Sequence, residues 1–219
     1  MYYICYMNFL TYSAHFLIKK TIEKKAIKFA YNLKNVKQIQ EQKLTELLAL
    51  SAKTKWGIEH VISADWTYAE FKSKVKIQNY LTLKEYILEE KNSSSSILSK
   101  DVVRYVLTSG SFGEKKWIPY SKNFLKEIDQ ATCPWLFDTY QNNPTLMTGK
   151  HFWSLSWLPK EKRDVDNDDL FYFPWYQRLI LKIIMAVSYE TQLEPKLELY
   201  QKRLESELLN CKDLSFMSI

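Results

Sequence analysis

Apolar residues recur at helical spacing through the first part of the chain. From residue 21 to residue 50 lysines and glutamines form the polar side of the pattern, and the apolar side carries Ile39, Leu44, Leu47 and Leu48. A break at residues 32–35 divides this stretch into two predicted helices. Gly57 follows the second helix and is predicted to be its left-handed cap. Two shorter helices are predicted at residues 68–75 and 82–88.

The middle of the chain changes from helical to extended pattern. Residues 102–107 are β-branched and aromatic, which predicts a strand, and residues 117–118 predict a second extended segment. Ser121 is predicted to cap a helix whose apolar face runs through residues 124–136. That helix is expected to end at residues 142–144, Asn-Asn-Pro.

The last third repeats the alternation of strand and helix. Large and small residues alternate over residues 151–157, which predicts a strand, and residues 175–187 predict a buried helix. Thr191 to Glu194 is interpreted as a capping box with Pro195 in the first turn. One apolar stripe then defines an amphipathic helix: Leu193, Leu197, Tyr200, Leu204 and Leu208. Residues 212–219 begin a further extended segment.

Length and composition indicate one globular domain over residues 1–219, which is 46% apolar and 15% aromatic. The predicted fold class is α/β, helix-rich, with a short central sheet. Net charge is +6, and residues 1–100 hold 16 lysines against 9 acidic residues. Because these lysines are scattered at helical spacing, they indicate a solvated face, and no nucleic-acid partner is expected.

The N-terminal region, residues 1–34, is predicted to be helical. Its first 18 residues carry no formal charge, which is close to the shortest membrane span, but their hydroxyl, amide and tyrosine side chains argue against one. Residues 92–96, Asn-Ser-Ser-Ser-Ser, are predicted to be a flexible surface loop. The three cysteines are odd in number and widely spaced, so a cytoplasmic location is expected.

An acidic run follows the predicted strand at residues 151–157. Asp164, Asp166 and Asp168 have the spacing of the first half of a calcium loop. The position that requires glycine is Asp169, and the twelfth position is Trp175 instead of glutamate. No metal site is predicted here.

The segment with the clearest chemistry is residues 107–121, Leu-Thr-Ser-Gly-Ser-Phe-Gly-Glu-Lys-Lys-Trp-Ile-Pro-Tyr-Ser, which holds two of the four glycines. A small, hydroxyl-rich turn after a strand suits anion binding, and a lysine at its far end supplies charge. A Walker loop is excluded, since only two residues separate Gly110 from Gly113 and Trp117 follows Lys116. On these features alone, a plain glycine turn with exposed lysines is the favoured interpretation.

The same segment resembles the nucleotide-phosphate loop of adenylate-forming enzymes, the luciferase and acyl-CoA synthetase superfamily. Its ending, Ile118-Pro119-Tyr120-Ser121, is similar to the auxin-responsive Gretchen Hagen family of acyl acid amido synthetases and its bacterial relatives. Phe112 departs from the pattern, where a small or hydroxyl residue is usual. Residues that precede the loop match the family's opening in order and spacing, and all are interpreted as packing residues: Gln40, Leu44, Thr54, Trp56, Gly57, Phe71, Val75, Tyr80, Tyr86 and Ile87.

The resemblance implies ATP and magnesium as cofactors. In such enzymes a carboxylic acid attacks the α-phosphate of ATP, pyrophosphate leaves, and the acyl group passes to an amine or amino acid. Phosphate contacts are expected from these residues, with Thr108 bracing the turn and Lys116 supplying charge: Thr108, Ser109, Gly110, Ser111, Gly113 and Lys116. Catalytic residues are not identified.

No stretch after Lys116 matches the family's later motifs. The chain is therefore expected to be inactive or partial by itself, as a fragment, a frameshifted copy or one half of a split enzyme that needs a C-terminal partner. The alternative is a non-catalytic helical interaction or membrane-peripheral protein.

Overall fold

The computed structural model describes residues 8–93, 95–108, 115–154, 157 and 175–218, with no side-chain detail for residues 175–177. Its helices are α1 Phe9–Lys34, α2 Val36–Ser51, α3 Lys55–Glu59, α4 Tyr68–Lys74, α5 Tyr80–Ser93, α6 Lys122–Asn142, α7 Trp175–Ile184, α8 Tyr189–Gln192 and α9 Leu197–Asn210. Its strands are β1 Val102–Leu107, β2 Trp117–Ser121, β3 Lys150–Trp153 and β4 Leu214–Ser218, and a 3-10 helix spans Pro144–Thr148. The helix-rich α/β class is confirmed.

The chain divides into two compact units, one formed by Met1–Ile27 with Ala131–Ile219 and the other by Lys28–Gln130. Each unit contains a pair of strands: β1 with β2 in the unit 28–130, and β3 with β4 in the other. In the described part of the chain, no helix is long and apolar enough to cross a membrane.

In the unit 28–130, β1 and β2 pair in antiparallel register, with Val106 opposite Ile118 and Leu107 opposite Trp117. Both strands lie where the sequence predicted them. The Oγ atom of Ser121 accepts a hydrogen bond from the N–H of Phe124 at 3.1 Å, and α6 begins at the next residue, Lys122. The predicted cap is therefore confirmed.

Gly57 is not the left-handed cap that its position after a helix suggested. It lies inside α3, where the Oγ1 atom of Thr54 accepts a hydrogen bond from its N–H at 3.0 Å and caps the helix. A Cβ atom built on Gly57 would lie 1.8 Å from the carbonyl oxygen of Ser51. Glycine is needed here because two backbone segments approach each other closely.

Replacing Gly57 with alanine is expected to lower the free energy of unfolding by about 1–3 kcal/mol, because the new methyl group would displace backbone. The sign of this change in stability is informative, since alanine in an uncrowded helix interior is more favourable than glycine by about 1 kcal/mol. Urea unfolding of the two proteins measures the difference. A variant as stable as the wild type would contradict the close approach.

In the unit formed by residues 1–27 and 131–219, β3 and β4 run parallel, with His151 opposite Phe216 and Trp153 opposite Ser218. The predicted strand at 151–157 is thus observed as Lys150–Trp153, while residues 155, 156 and 158–174, with the acidic run, lie outside the described residues. The rings of Trp153 and Phe216 pack at 5.3 Å between centroids. These aromatic contacts, with the buried residues Cys133, Pro134 and Tyr140 of α6, form the core beside this sheet.

The predicted capping box at Thr191 is wrong. Thr191 is fully buried inside α8, and its hydroxyl donates to Glu207 at 2.9 Å. Residue Lys196 occupies the N-cap of α9 and makes no side-chain cap hydrogen bond. Glu194 accepts from Arg203 at 2.7 Å, so its carboxylate pairs with a side chain of α9.

Candidate functional site

The loop between β1 and β2 is the candidate site that the sequence predicted. Of its six assigned residues, Thr108 and Lys116 are described, and the other four lie outside the described residues: Ser109, Gly110, Ser111 and Gly113. The contribution of those four residues to a phosphate site stays a prediction. The two described residues stand at opposite ends of the loop.

Thr108 and Lys116 join the ends of the loop by two hydrogen bonds. The N–H of Thr108 donates to the carbonyl oxygen of Lys116 at 3.0 Å, and the N–H of Lys116 donates to the Oγ1 atom of Thr108 at 3.2 Å. This pair extends the strand pairing by one step beyond Leu107 and Trp117. These two hydrogen bonds hold the ends of the loop together, and the side chain of Lys116 is exposed where the chain leaves the loop.

Tyr80, at the start of α5, contacts the exit of the loop twice. Its hydroxyl oxygen accepts a hydrogen bond from the N–H of Trp117 at 3.0 Å, and its ring centroid lies 5.6 Å from the Nζ atom of Lys116. A cation within about 6 Å of an aromatic ring is attracted to the ring face. The sequence marked Tyr80 only as a packing residue, because nothing local connects it to a strand 37 residues away.

A lysine of α5 lies over the aromatic ring of Trp117, the residue that follows Lys116. The Nζ atom of Lys91 is 4.4 Å from the ring centroid of Trp117. Helix α5 thus places two cation–aromatic contacts along the start of β2. They orient the chain that leaves the loop.

Glu90 of α5 holds the segment that leads into β1. Its Oε1 atom accepts hydrogen bonds from the N–H groups of Ile97, Leu98 and Ser99 at 3.1, 3.1 and 2.8 Å. The side chain is 2% exposed. Burial raises its pKa, and the three N–H groups offset part of that effect because they favour the carboxylate. Burial together with the charge of Glu90 raises the pKa of Tyr105 on β1 to about 12.

The unit formed by residues 1–27 and 131–219 contains a buried cluster of His15, Tyr140 and His151. The Nε2 atom of His15 lies 2.9 Å from the carbonyl oxygen of Gly149, which can only accept, so Nε2 carries the proton. The hydroxyl of Tyr140 then donates to Nδ1 at 2.7 Å. Burial and the neighbouring His151 lower the pKa of His15 to about 4, and burial also lowers the pKa of His151.

This cluster is structural. The ring of His15 lies 4.2 Å from the ring of His151, and both rings are closed off from solvent. His151 was interpreted from the sequence as a structural residue at a strand start, and it donates from Nε2 to the carbonyl oxygen of Leu146 at 2.9 Å. Among the described residues, no group of three or more histidines, cysteines or carboxylates could hold a metal ion.

A cavity of about 520 Å3 lies beside α7 and α8. Its wall combines apolar residues with Lys150, Arg178 and Lys182, and Glu207 lies at its edge. Burial disfavours the charged form of Glu207, but hydrogen bonds from Ser188, Thr191 and Arg203 outweigh that effect and lower its pKa. Because its oxygens already accept these bonds, Glu207 is a structural carboxylate and not a free base.

A comparison with known protein families finds a match. The family model described as the GH3 family N-terminal domain matches residues 25–168, which include the hairpin of β1 and β2 and the helix α5 behind it. No curated protein matches the chain. The matched segment spans more than half of the 219 residues. The chain therefore belongs to the GH3 family, the auxin-responsive Gretchen Hagen family of acyl acid amido synthetases in the adenylate-forming superfamily.

Proposed function

We propose that residues 107–121 bind the phosphates of ATP in a carboxylate-adenylating reaction whose acyl product passes to an amine or amino acid. The observation that carries this proposal is the pair of hydrogen bonds between Thr108 and Lys116, which holds the ends of the loop together. The side chain of Lys116 is exposed where the chain leaves the loop. Members of the family are ATP-dependent, which supports ATP as the nucleotide. A lysine at this position acts as a point charge for phosphate oxygens.

The remaining loop residues have the chemistry that a phosphate cradle requires. Gly110 and Gly113 allow successive N–H groups to face one concavity, and the hydroxyls of Ser109 and Ser111 add donors. Together these donors would stabilise the extra negative charge that develops at phosphorus. Magnesium bound with the nucleotide would supply positive charge that neutralises its phosphates, which agrees with the preference of this ion for substrate oxygens over all-protein sites.

Helix α5 contributes by fixing both ends of the loop. Glu90 anchors the segment before β1, and Tyr80 anchors the first residue of β2. A cradle made of backbone N–H groups depends on the position of the backbone, so preorganised ends favour phosphate binding. We place the reaction in the cytoplasm, since neither of the two cysteines that the structure describes, Cys133 and Cys211, forms a disulfide.

Replacing Ser109 and Lys116 together with alanine is expected to weaken binding of ATP–Mg by about tenfold or more, because a charge-assisted contact and a hydroxyl donor are lost. Titration calorimetry with the 219-residue protein measures this. Lys126→Ala, which removes an exposed lysine of α6, is the matched control and should leave the affinity unchanged. Equal binding by the wild type and the double variant would reject the site.

A further inference from the structure

Helix α1 has an exposed apolar surface that the phosphate loop does not use. Over residues 9–27, one side of the helix is buried and carries Thr11, Ala14, His15 and Ile22. The opposite side, here termed the outer face, carries large apolar side chains with these exposed fractions: Phe9 76%, Leu10 60%, Phe16 47%, Leu17 51% and Ile27 63%. Side chains of this size are costly to leave in water.

Lysines come after the aromatic residues of the outer face along this helix. Residues 9–27 contain four lysines, Lys19, Lys20, Lys24 and Lys25, and one acidic residue, Glu23. Lys20 and Lys24 are exposed on the outer face, and the Nζ atom of Lys20 lies 6.0 Å from the ring of Phe16. Lys20 also pairs with Glu23 at 3.0 Å, so the four lysines and Glu23 leave an excess of three positive charges on this stretch. The apolar end and the basic end thus form one continuous surface along the helix.

The geometry of this surface favours a flat partner over a groove. At 1.5 Å per residue, the outer face extends over roughly 27 Å along one helix. Helices that present Phe and Leu beside Lys lie in the plane of the lipid interface, with apolar side chains among the acyl chains and lysines at anionic headgroups. The described helices include none that could span a membrane, so the contact would be peripheral. Most of the outer face also precedes residue 25, where the family match begins.

We propose that the outer face of α1 binds the surface of a membrane that is rich in anionic lipid. Excess positive charge selects the anionic surface, and Phe9, Leu10, Phe16 and Leu17 supply the apolar contact. This proposal does not depend on the phosphate loop, so each can fail without the other.

The test is co-sedimentation of the 219-residue protein with vesicles of equal parts phosphatidylserine and phosphatidylcholine, and with vesicles of phosphatidylcholine alone. Binding is expected to the first and to be at least tenfold weaker to the second. Lys20→Gln with Lys24→Gln should weaken binding to the anionic vesicles by about 25-fold, at about fivefold for each lysine. Phe16→Ser with Leu17→Ser should weaken it by about tenfold or more.

The matched control is Ile77→Ser with Leu209→Ser, which removes two apolar side chains that are 101% and 79% exposed elsewhere on the chain. These changes should leave vesicle binding unchanged. The proposal is overturned if the wild type binds neither kind of vesicle, or if the control pair weakens binding as much as the outer-face pair. It is also overturned if sedimentation velocity shows a dimer that Phe16→Ser with Leu17→Ser dissociates while vesicle binding is absent, because a second copy would then cover this face.

Discussion

Replacing Glu90 with alanine is expected to lower the free energy of unfolding by about 3–5 kcal/mol. The Oε1 atom of this one side chain accepts hydrogen bonds from the N–H groups of Ile97, Leu98 and Ser99. Removing the carboxyl group leaves the N–H groups of Leu98 and Ser99 without their acceptor, and a buried donor without a partner costs about 1–3 kcal/mol. The N–H of Ile97 keeps a second acceptor, the carbonyl oxygen of Ser95 at 2.9 Å. Urea unfolding followed by circular dichroism measures the loss.

The matched control is Glu90→Gln. Its carbonyl oxygen can accept the same three hydrogen bonds, and the substitution removes the charge whose burial is unfavourable. We expect Glu90→Gln to cost about 1–3 kcal/mol, less than alanine, because its amide NH2 group takes the place of the Oε2 atom, which is buried without a hydrogen-bond partner. If glutamine were as damaging as alanine, the negative charge and not the hydrogen bonds would be the source of stability. If alanine lowered the free energy of unfolding no more than glutamine does, the hydrogen bonds to Glu90 would contribute little to stability.

Acidification is expected to cost the folded protein about 3 kcal/mol through His15. Burial and the neighbouring His151 lower the pKa of His15 from 6.5 to about 4, which corresponds to ~3 kcal/mol of preference for the neutral ring. Because the pKa is lower in the folded state, this stability is fully present above pH 6.5 and is lost as the pH falls towards 4. The burial of His151 lowers its pKa and adds to the loss in the same direction.

The measurement is the free energy of unfolding as a function of pH, compared between the wild type and His15→Gln. Glutamine can donate to the carbonyl oxygen of Gly149 and accept from the hydroxyl of Tyr140, as the neutral ring does, but it does not titrate. The difference in stability between the two proteins should therefore shrink as the pH falls from 6.5 to 4. A constant difference over that range would show that His15 keeps an ordinary pKa in the folded protein.

Elements specified by neighbouring residues were predictable from the sequence. The β-branched run in β1 favours a strand at that place in the chain, and Ser121 caps α6 through a contact three residues away. The break between α1 and α2 falls at residue 35, within the predicted range. The residue types of the loop between β1 and β2 and its resemblance to a family were likewise visible in one continuous segment. Each of these features depends on short-range geometry.

Features that depend on contacts between separate helices were not predictable. Gly57 looked like a cap because it follows a helix, yet the carbonyl of Ser51 decides its role. Thr191 looked like a capping residue because of its spacing to Glu194, yet burial turns its hydroxyl towards Glu207 on α9. In both cases the local pattern was real, and a contact with another segment gave the residue a different partner.

The sequence alone therefore determined the family, the class of fold and the residue types of the loop between β1 and β2, because these are carried by residue types in order. Tertiary structure decided which side chains fix the segments at the two ends of that loop. Glu90 is an ordinary helical glutamate in the sequence, and only burial makes it an anchor for three N–H groups. Tyr80 reaches Trp117 across 37 residues, and His15 reaches Tyr140 across 125. Contacts over such distances form only when helices and strands pack together, and no periodicity within a segment records which partner each side chain meets.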